Sequence, residues 1–480
     1  MEDIETIKFK KKHVCKGQNV ETPKLPEKKW SKRKNKSRYN SLFKDCTLRF
    51  LISQLHTQIP FILMATEKTP FELAMKEVVL IKPSKPTPFS VLHLSSLDHI
   101  PDLNILCHTL HVYRSKVDDH DEPSCPNHQL LHPADVIKAA LSKALFYYYP
   151  LAGRLVDHTD GKLVINCNAK GVPFLEANAT CKLSSLHYWD GTDMESAKNL
   201  VYDLPSEDES GHQYPLVFKV TNFPCGGFTI GMGLLHSVCD GVGAFQFFKA
   251  IMEFARGKTE PSVKPVWERD RLTGSITKNP LQIDFLDEAS AAVSPFLPTK
   301  VLMHQCIKVD SESIRRLKMS LMKESGENEN FTTFESLAAY VWRSKSRALK
   351  LNYDGKVKLN ITVGVRRHLQ DPLPEGYYGN VVVDADVILT MRELNERPLH
   401  EIVKLIKESK KVSSNSDYVR NFMNTLETEL NNFKAEASGA FTALTDWRHL
   451  KFFRDRFRDR FRERTNEFEG RSEWCIHCLD

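Results

Sequence analysis

The chain has 480 residues, 67 Lys and Arg against 61 Asp and Glu, a formal net charge of +6, and 41% hydrophobic residues. That length supplies two or three domains with a large core, and the near-balanced charge of its middle implies no nucleic-acid-binding surface. No uncharged apolar run reaches the roughly 18 residues a membrane span needs, and the eleven scattered cysteines are no dense disulfide framework, so a reducing, cytoplasmic compartment is expected.

Residues 1–63 carry 15 Lys and Arg against six Asp and Glu, concentrated in Lys8–Lys12 and Lys28–Arg38. Few apolar positions interrupt them, so a disordered, solvated arm is expected, with a role in nuclear targeting or at an anionic surface as the alternative. The apolar run Phe50–Met64 contains Ser53, Gln54, His56 and Gln58, which argues against a signal anchor. Folded character begins at Met64-Ala65-Thr66.

From Phe71 the pattern is α/β. Val78–Ile81 reads as a strand ended by Pro83 and Pro86, and extended segments follow at Leu94–Asp98 and Ile105–Tyr113. Pro133–Tyr149 is a predicted helix, with Pro133 in its first turn and Pro150 stopping it. Strands are predicted at Leu163–Asn166, Leu216–Asn222 and Phe228–Leu235, then a helix at Ala244–Arg256 closed by Gly257. The proline-marked stretch Pro261–Pro298 reads as a linker between two halves, 64–260 and 299–450. Beyond it the pattern predicts strands at Met303–Val309, Lys358–Val365 and Val381–Val387. Helices are predicted at Ser311–Lys323, Thr333–Lys350, Leu399–Lys410 and Asp417–Asn431.

Residues 451–480 form a charged tail of different character, with Phe-Arg-Asp-Arg units across Phe452–Phe461. Six arginines between Arg454 and Arg464 cannot be buried without partners. This tail is therefore expected to lie outside the core and to leave a sheet edge or apolar patch uncovered. Cys475 and Cys478 make a lone Cys-x-x-Cys, too few ligands for zinc, and no metal is expected.

The chemistry concentrates at His236-Ser237-Val238-Cys239-Asp240-Gly241. A predicted strand ends at His236, and Gly241 and Gly243 follow before a helix. Such a turn presents a side chain at an open sheet end and lets a ligand approach the backbone. A neutral imidazole there can take a proton from a hydroxyl or amine; the competing reading is a structural histidine at a turn. Asp240 has two possible jobs: orienting the imidazole as in a triad, or pairing with an arginine to fix the turn.

His-x-x-x-Asp-Gly, preceded by Cys225-Gly226-Gly227-Phe228, resembles the signature site of the BAHD acyltransferases. Four further stretches match that family in order: Tyr148–Leu155, Lys264–Arg269, Leu373–Asn380 and Thr445-Asp446-Trp447-Arg448. The variants are similar to the branch of benzyl-alcohol benzoyltransferases and taxane acetyl- and benzoyltransferases. Two departures stand out. The family's Asp-Phe-Gly-Trp-Gly motif is absent after Leu450, and Gly364 replaces the aspartate usual two residues before Arg366.

The resemblance implies a chloramphenicol acetyltransferase-like fold, α/β with two mixed-sheet domains, flanking helices and a channel between them. It implies an acyl-CoA-dependent O- or N-acyltransferase acting on a small specialised metabolite. His236 would be the general base, Asp240 would orient the turn with Arg366 and Gly241, and Thr445 and Trp447 would lie near the developing oxyanion. Acyl-CoA is a co-substrate rather than a resident cofactor. The implied protein is a cytoplasmic monomer, and Cys239 need not be a nucleophile. The alternative is a catalytically impaired acyltransferase-like protein, because the Asp-Phe-Gly-Trp-Gly motif is missing.

Overall fold

The computed structural model describes residues 71–100, 103–115, 132–186, 197–201, 204–282, 286–296, 307, 309–326, 329–429, 439–448, 450 and the backbone of 468–476. The basic extension 1–63, most of Met303–Val309 and the Phe-Arg-Asp-Arg units lie outside these residues.

The first half contains Leu73–Met75 (β1), Val79–Ile81 (β2), Val91–His93 (β3), Leu106–Ser115 (β4), the helix Pro133–Tyr147 (α1), Arg154–Asp157 (β5), Leu163–Asn166 (β6), Val172–Ala179 (β7), Leu216–Asn222 (β8), Phe228–Leu235 (β9) and the helix Gly241–Ala255 (α2). Its main sheet runs β1-β7-β8-β9-β4, with β2 also on β7 and only β7 and β8 parallel. All eight residues of β9 are buried, so both faces of this strand are covered. That accounts for its apolar run without polar alternation. Helix α1 turns Ala134, Ile137, Ala140, Leu141, Ala144 and Leu145 inward. It packs on α2, whose Phe247, Phe248 and Ile251 belong to the same core. A small sheet, β3-β6-β5, flanks this unit.

The second half contains Ser311–Ser325 (α3), Thr333–Ala348 (α4), Lys356–Gly364 (β10), Val382–Thr390 (β11), Met391–Glu396 (α5), Leu399–Ser413 (α6), Ser416–Glu429 (α7) and Phe441–Thr445 (β12). The sheet order is β11-β10-β12, antiparallel then parallel. β11 alternates half-buried and buried positions, so one face meets the core. Trp342 on α4, Leu359 on β10 and Ile402 on α6 are buried in that core.

A separate apolar cluster joins the halves. Leu97 from the first, Leu272 from the connecting stretch, and Val365, Tyr377, Val381 and Phe422 from the second pack together.

One expectation is corrected. Leu94–Asp98 is not a strand: β3 ends at His93, and Ser96–His99 is a 3₁₀ turn. The Ser95 hydroxyl accepts from the Asp98 N–H while the Asp98 carboxylate accepts from the Ser95 N–H, and this reciprocal cap outweighs extended pairing. The stretch 261–298, read as the connection between the halves, is tied to the second half. Val266 bridges to Tyr377, Ala291 bridges to Lys356, and Arg269–Leu272 forms a 3₁₀ turn. In the tail, Phe468–Ile476 (β13) pairs antiparallel with β4 of the first-half sheet. The burial cost of the arginine units does not extend to this later stretch, whose backbone satisfies the edge donors and acceptors of β4.

Two glycines make a paired test of packing between the halves. A Cβ on Gly243 would fall 2.0 Å from the Tyr378 carbonyl oxygen, whereas one on Gly364 would meet nothing within 4 Å. Gly243→Ala is expected to destabilise the protein by about 1–3 kcal/mol in urea melts, and Gly364→Ala to stay within about 0.5 kcal/mol of wild type.

Candidate active site

The site is built on the turn between β9 and α2. The His236 N–H donates to the Ile105 carbonyl at 2.8 Å, and the Ser237 hydroxyl donates to the Leu103 carbonyl at 2.9 Å. These bonds fasten the turn to the segment entering β4. Asp240 is the N-cap of α2, and its Oδ1 accepts from the N–H groups of Val242 and Gly243, each at 3.0 Å. Capping satisfies donors that a first helical turn otherwise leaves unpaired.

The remaining capacity of that carboxylate goes to the second half. The Arg366 guanidinium donates to Asp240 Oδ1 and Oδ2 at 2.9 and 3.0 Å, and the Val381 N–H donates to Oδ2 at 3.2 Å. Arg366 also donates to the carbonyls of Tyr377 and Gly379 at 3.0 and 2.7 Å. Asp240 therefore clamps the turn to the Tyr377–Val381 segment and acts on the imidazole through its charge.

The Oδ1 of Asn380 lies 3.1 Å from His236 Nδ1. The Asn380 Nδ2 donates to the carbonyl of His236 at 2.7 Å and to Asp98 Oδ1 at 2.8 Å. Asp98 pairs with Arg269 at 3.1 Å, and both side chains are buried. Arg269 further donates to the Val238 carbonyl at 2.7 Å and lies over the Trp267, Tyr378 and Tyr377 rings at 4.3, 5.1 and 5.3 Å.

His236 is half-buried at the end of its strand. Burial lowers its pKa from the usual histidine range, opposed by its own carbonyl, the Asp240 charge, Asn380 and Asp98. A neutral imidazole is the form that can accept a proton. Burial, reinforced by Asp240, raises the Cys239 thiol well above its usual range, which disfavours the thiolate a nucleophile needs.

Thr445 ends β12 in register with Thr362 of β10. The Leu450 N–H donates to the Trp447 carbonyl at 3.0 Å, closing the turn after it. Leu450 packs with the first-half core, and a Cβ on Gly241 would fall 2.7 Å from its Cδ1. The structure thus brings His236, Asp240, Gly241 and Arg366 into one cluster, which Leu450, in the turn after Trp447, meets at Gly241.

Sequence reasoning did not single out Asp98, Arg269 and Asn380. Arg269 and Asn380 close two of the family-like stretches, which was the available signal. Their partner Asp98 is 171 and 282 positions away, respectively.

Elsewhere, the donor atoms of His132, Asp135 and Glu176 lie close enough to suggest a cation site. Lys76 and Lys138 already occupy Glu176 at 2.6 and 2.9 Å. Among the described residues no helix is long and apolar enough to cross a membrane.

A two-half α/β fold with a histidine at a strand-to-helix turn, clamped by a distant arginine, defines the class as an acyl-CoA-dependent acyltransferase once its relatives are set beside it. The transferase family model matches residues 71–457, and the chain belongs to that family, the BAHD acyltransferases.

The spermidine coumaroyl-CoA acyltransferase of Arabidopsis thaliana is 40% identical over 391 residues, covering 80% of this chain and 82% of that protein. The spermidine sinapoyl-CoA acyltransferase of the same plant is 38% identical, covering 78% and 82%. Among solved structures, vinorine synthase superposes with a TM-score of 0.57 at 22% identity, covering 80% of this chain and 85% of that one. Fusarium graminearum TRI101, complexed with coenzyme A and deoxynivalenol, gives a TM-score of 0.59 at 12% identity over 76% and 85%. These two likenesses show the fold.

Two substitutions separate the roles at the turn. Cys239→Ala is expected to keep activity, and single-turnover mass spectrometry should find no acyl group on Cys239. Asp240→Ala removes a cap and leaves Arg366 without its carboxylate. A loss of about 3–5 kcal/mol in a denaturant melt is expected, the range for breaking a buried pair.

Proposed function

We propose that this acyltransferase moves a hydroxycinnamoyl-type group from its CoA thioester to an amine of an aliphatic polyamine, with His236 as the general base. The observation that carries the catalytic part is the His236 imidazole, held at Nδ1 by Asn380 at the end of β9. Nε2 takes a proton from the attacking nitrogen as that nitrogen bonds to the thioester carbonyl carbon. The tetrahedral oxyanion then collapses, the carbon–sulfur bond breaks, and the imidazolium returns a proton to the leaving CoA sulfur. The acyl group passes directly from sulfur to nitrogen. Thr445 and Trp447 supply a hydroxyl and an indole N–H to the oxyanion. Asp240 and Arg366 hold the turn without touching the reacting atoms.

The acceptor class rests on the relatives. Those named for spermidine share 40% and 38% identity with this chain, while those named for taxane or hydroxypalmitate acceptors share 31–33%. TRI101 binds coenzyme A in the same fold, which supports acyl-CoA as the donor. In this reading the protein works as a cytoplasmic monomer.

The purified full chain, given coumaroyl-CoA with spermidine or with benzyl alcohol, is expected to form the amide and little ester, read by mass spectrometry. His236→Ala should lower turnover by about 10²–10⁴-fold while the fold persists. Ester formation alone would retire the polyamine reading. A wild-type chain inert with a panel of acyl-CoAs and acceptors would favour the impaired alternative. More than half the turnover surviving in His236→Ala would remove His236 as the base.

A further inference from the structure

We infer that Cys181 and Cys225 are a peroxide-responsive pair: oxidation joins them in a reversible disulfide that ties the end of β7 to the β8–β9 turn.

Sheet register brings the two cysteines together. β7 and β8 are parallel, and their last paired residues are Asn178 and Asn222. Each cysteine stands three positions beyond that pair on its own strand, so the two leave the sheet side by side. Adjacent strands run about 4.8 Å apart, within the roughly 4.4–6.8 Å between Cα atoms that a disulfide spans.

The contacts show that the two segments stay together past the sheet. The Leu183 N–H, two residues beyond Cys181, donates to Cys225 Sγ at 3.4 Å. A Cβ on Gly227 would fall 3.0 Å from Leu183 Cδ2 and 3.6 Å from Cys225 Sγ. The turn that carries Cys225 is itself held. The Phe223 N–H donates to the Gly227 carbonyl and the Gly226 N–H to the Phe223 carbonyl, each at 2.9 Å. Both cysteines are free and half-buried, and both pack against one apolar cluster that includes Leu183, Leu200 and Phe223. Cys167 and Cys239, by contrast, are buried, which shields them from a dissolved oxidant.

The surroundings give the two sulfurs different parts. Burial raises the Cys181 thiol above its usual range, opposed by its own backbone and reinforced by Cys225. The Leu183 N–H favours negative charge on Cys225 Sγ. The Cys225 sulfur therefore attacks the peroxide. A sulfur–oxygen bond forms, the oxygen–oxygen bond breaks, and a sulfenic acid and water result. The Cys181 sulfur then attacks the Cys225 sulfur and gives up its proton, the sulfur–oxygen bond breaks, and a second water leaves. Two thiols are oxidised by two electrons and one peroxide is reduced. In a reducing compartment such a bond is transient, and thiols reverse it.

The pair lies at the far end of β9 from the catalytic turn. Phe228 and His236 are separated by about 26 Å along a strand that rises ~3.3 Å per residue. The bridge thus acts on the sheet rather than on the reacting atoms. It closes the chain between residues 181 and 225, and such a cross-link restricts the unfolded chain more than the folded one.

The test uses the full chain, reduced, exposed to stoichiometric hydrogen peroxide, alkylated, and mapped without reduction by peptide mass spectrometry. The Cys181–Cys225 linked peptides are expected as the main disulfide. The melting temperature of the oxidised chain should rise by several degrees and return to the reduced value with dithiothreitol. Cys181→Ser should abolish both the link and the shift, and leave on Cys225 a sulfenic acid that dimedone traps. A main disulfide between other cysteines, or alkylation or overoxidation of both residues without a link, would overturn the pair. A bridge that forms but leaves the melting temperature unchanged or lower would overturn its role as a tie. Where Cys181→Ser does not fold, the wild-type map and melt decide. No acyl donor or acceptor enters this assay, so its outcome is independent of the acceptor class and of His236 as the base.

Discussion

The buried ion pair between Asp98 and Arg269 is the constraint on which the site depends. Taking two charges out of water costs several kcal/mol per ion unless each is fully partnered. Here the partners come from three parts of the chain. Ser95 and Asp98 belong to the turn after β3, Arg269 to the connecting stretch, and Asn380 to the approach to β11. The pair is satisfied only when these segments meet, so the arrangement that neutralises it also sets the two halves around His236. The rings of Trp267, Tyr377 and Tyr378 box the guanidinium and leave it one position.

A second pair, Asp240 with Arg366, works on the opposite side of the turn. It differs in kind. Asp240 is first a helix cap, so its geometry is set by α2, and Arg366 reads a carboxylate already in place. The two pairs divide the labour: one fixes where the turn sits, the other fixes what faces the ring. Because each pair is closed on itself, the imidazole lies among balanced charges, and burial becomes the leading influence on its proton affinity. That favours the neutral imidazole.

How much of this could be read from the residues depends on how local each feature is. β9 was expected at Phe228–Leu235 and has those bounds, because a run of apolar residues ending at a glycine-bearing turn is a local signal. The clustering of Asp240 with Arg366 was approachable through motif resemblance alone, since 126 positions separate them. Leu94–Asp98 misled because the Ser95–Asp98 cap is a contest of side chain against backbone that periodicity does not record. Asn380 closes a family-like stretch, but its role was not legible there for another reason. Nothing about an asparagine near a strand start marks it as a histidine's partner until the fold supplies Asp98. Strand β12 and the pairing of β7 with β8 are also missing from the periodic signal, since parallel partners are set by tertiary contact.

The unusual ending takes its place within the same logic. The family's Asp-Phe-Gly-Trp-Gly motif is absent from this chain, yet among the described residues a network of Asp98, His236, Asp240, Arg269, Arg366 and Asn380 surrounds the turn, all before Leu450. Leu450 is the last described side chain to reach the site, against Gly241. Beyond it, β13 joins the β4 edge of the first-half sheet, away from the second-half strands that position Arg366. The turn that carries His236 is held by bonds to Leu103, Ile105, Arg366 and Val381, all of them before Leu450.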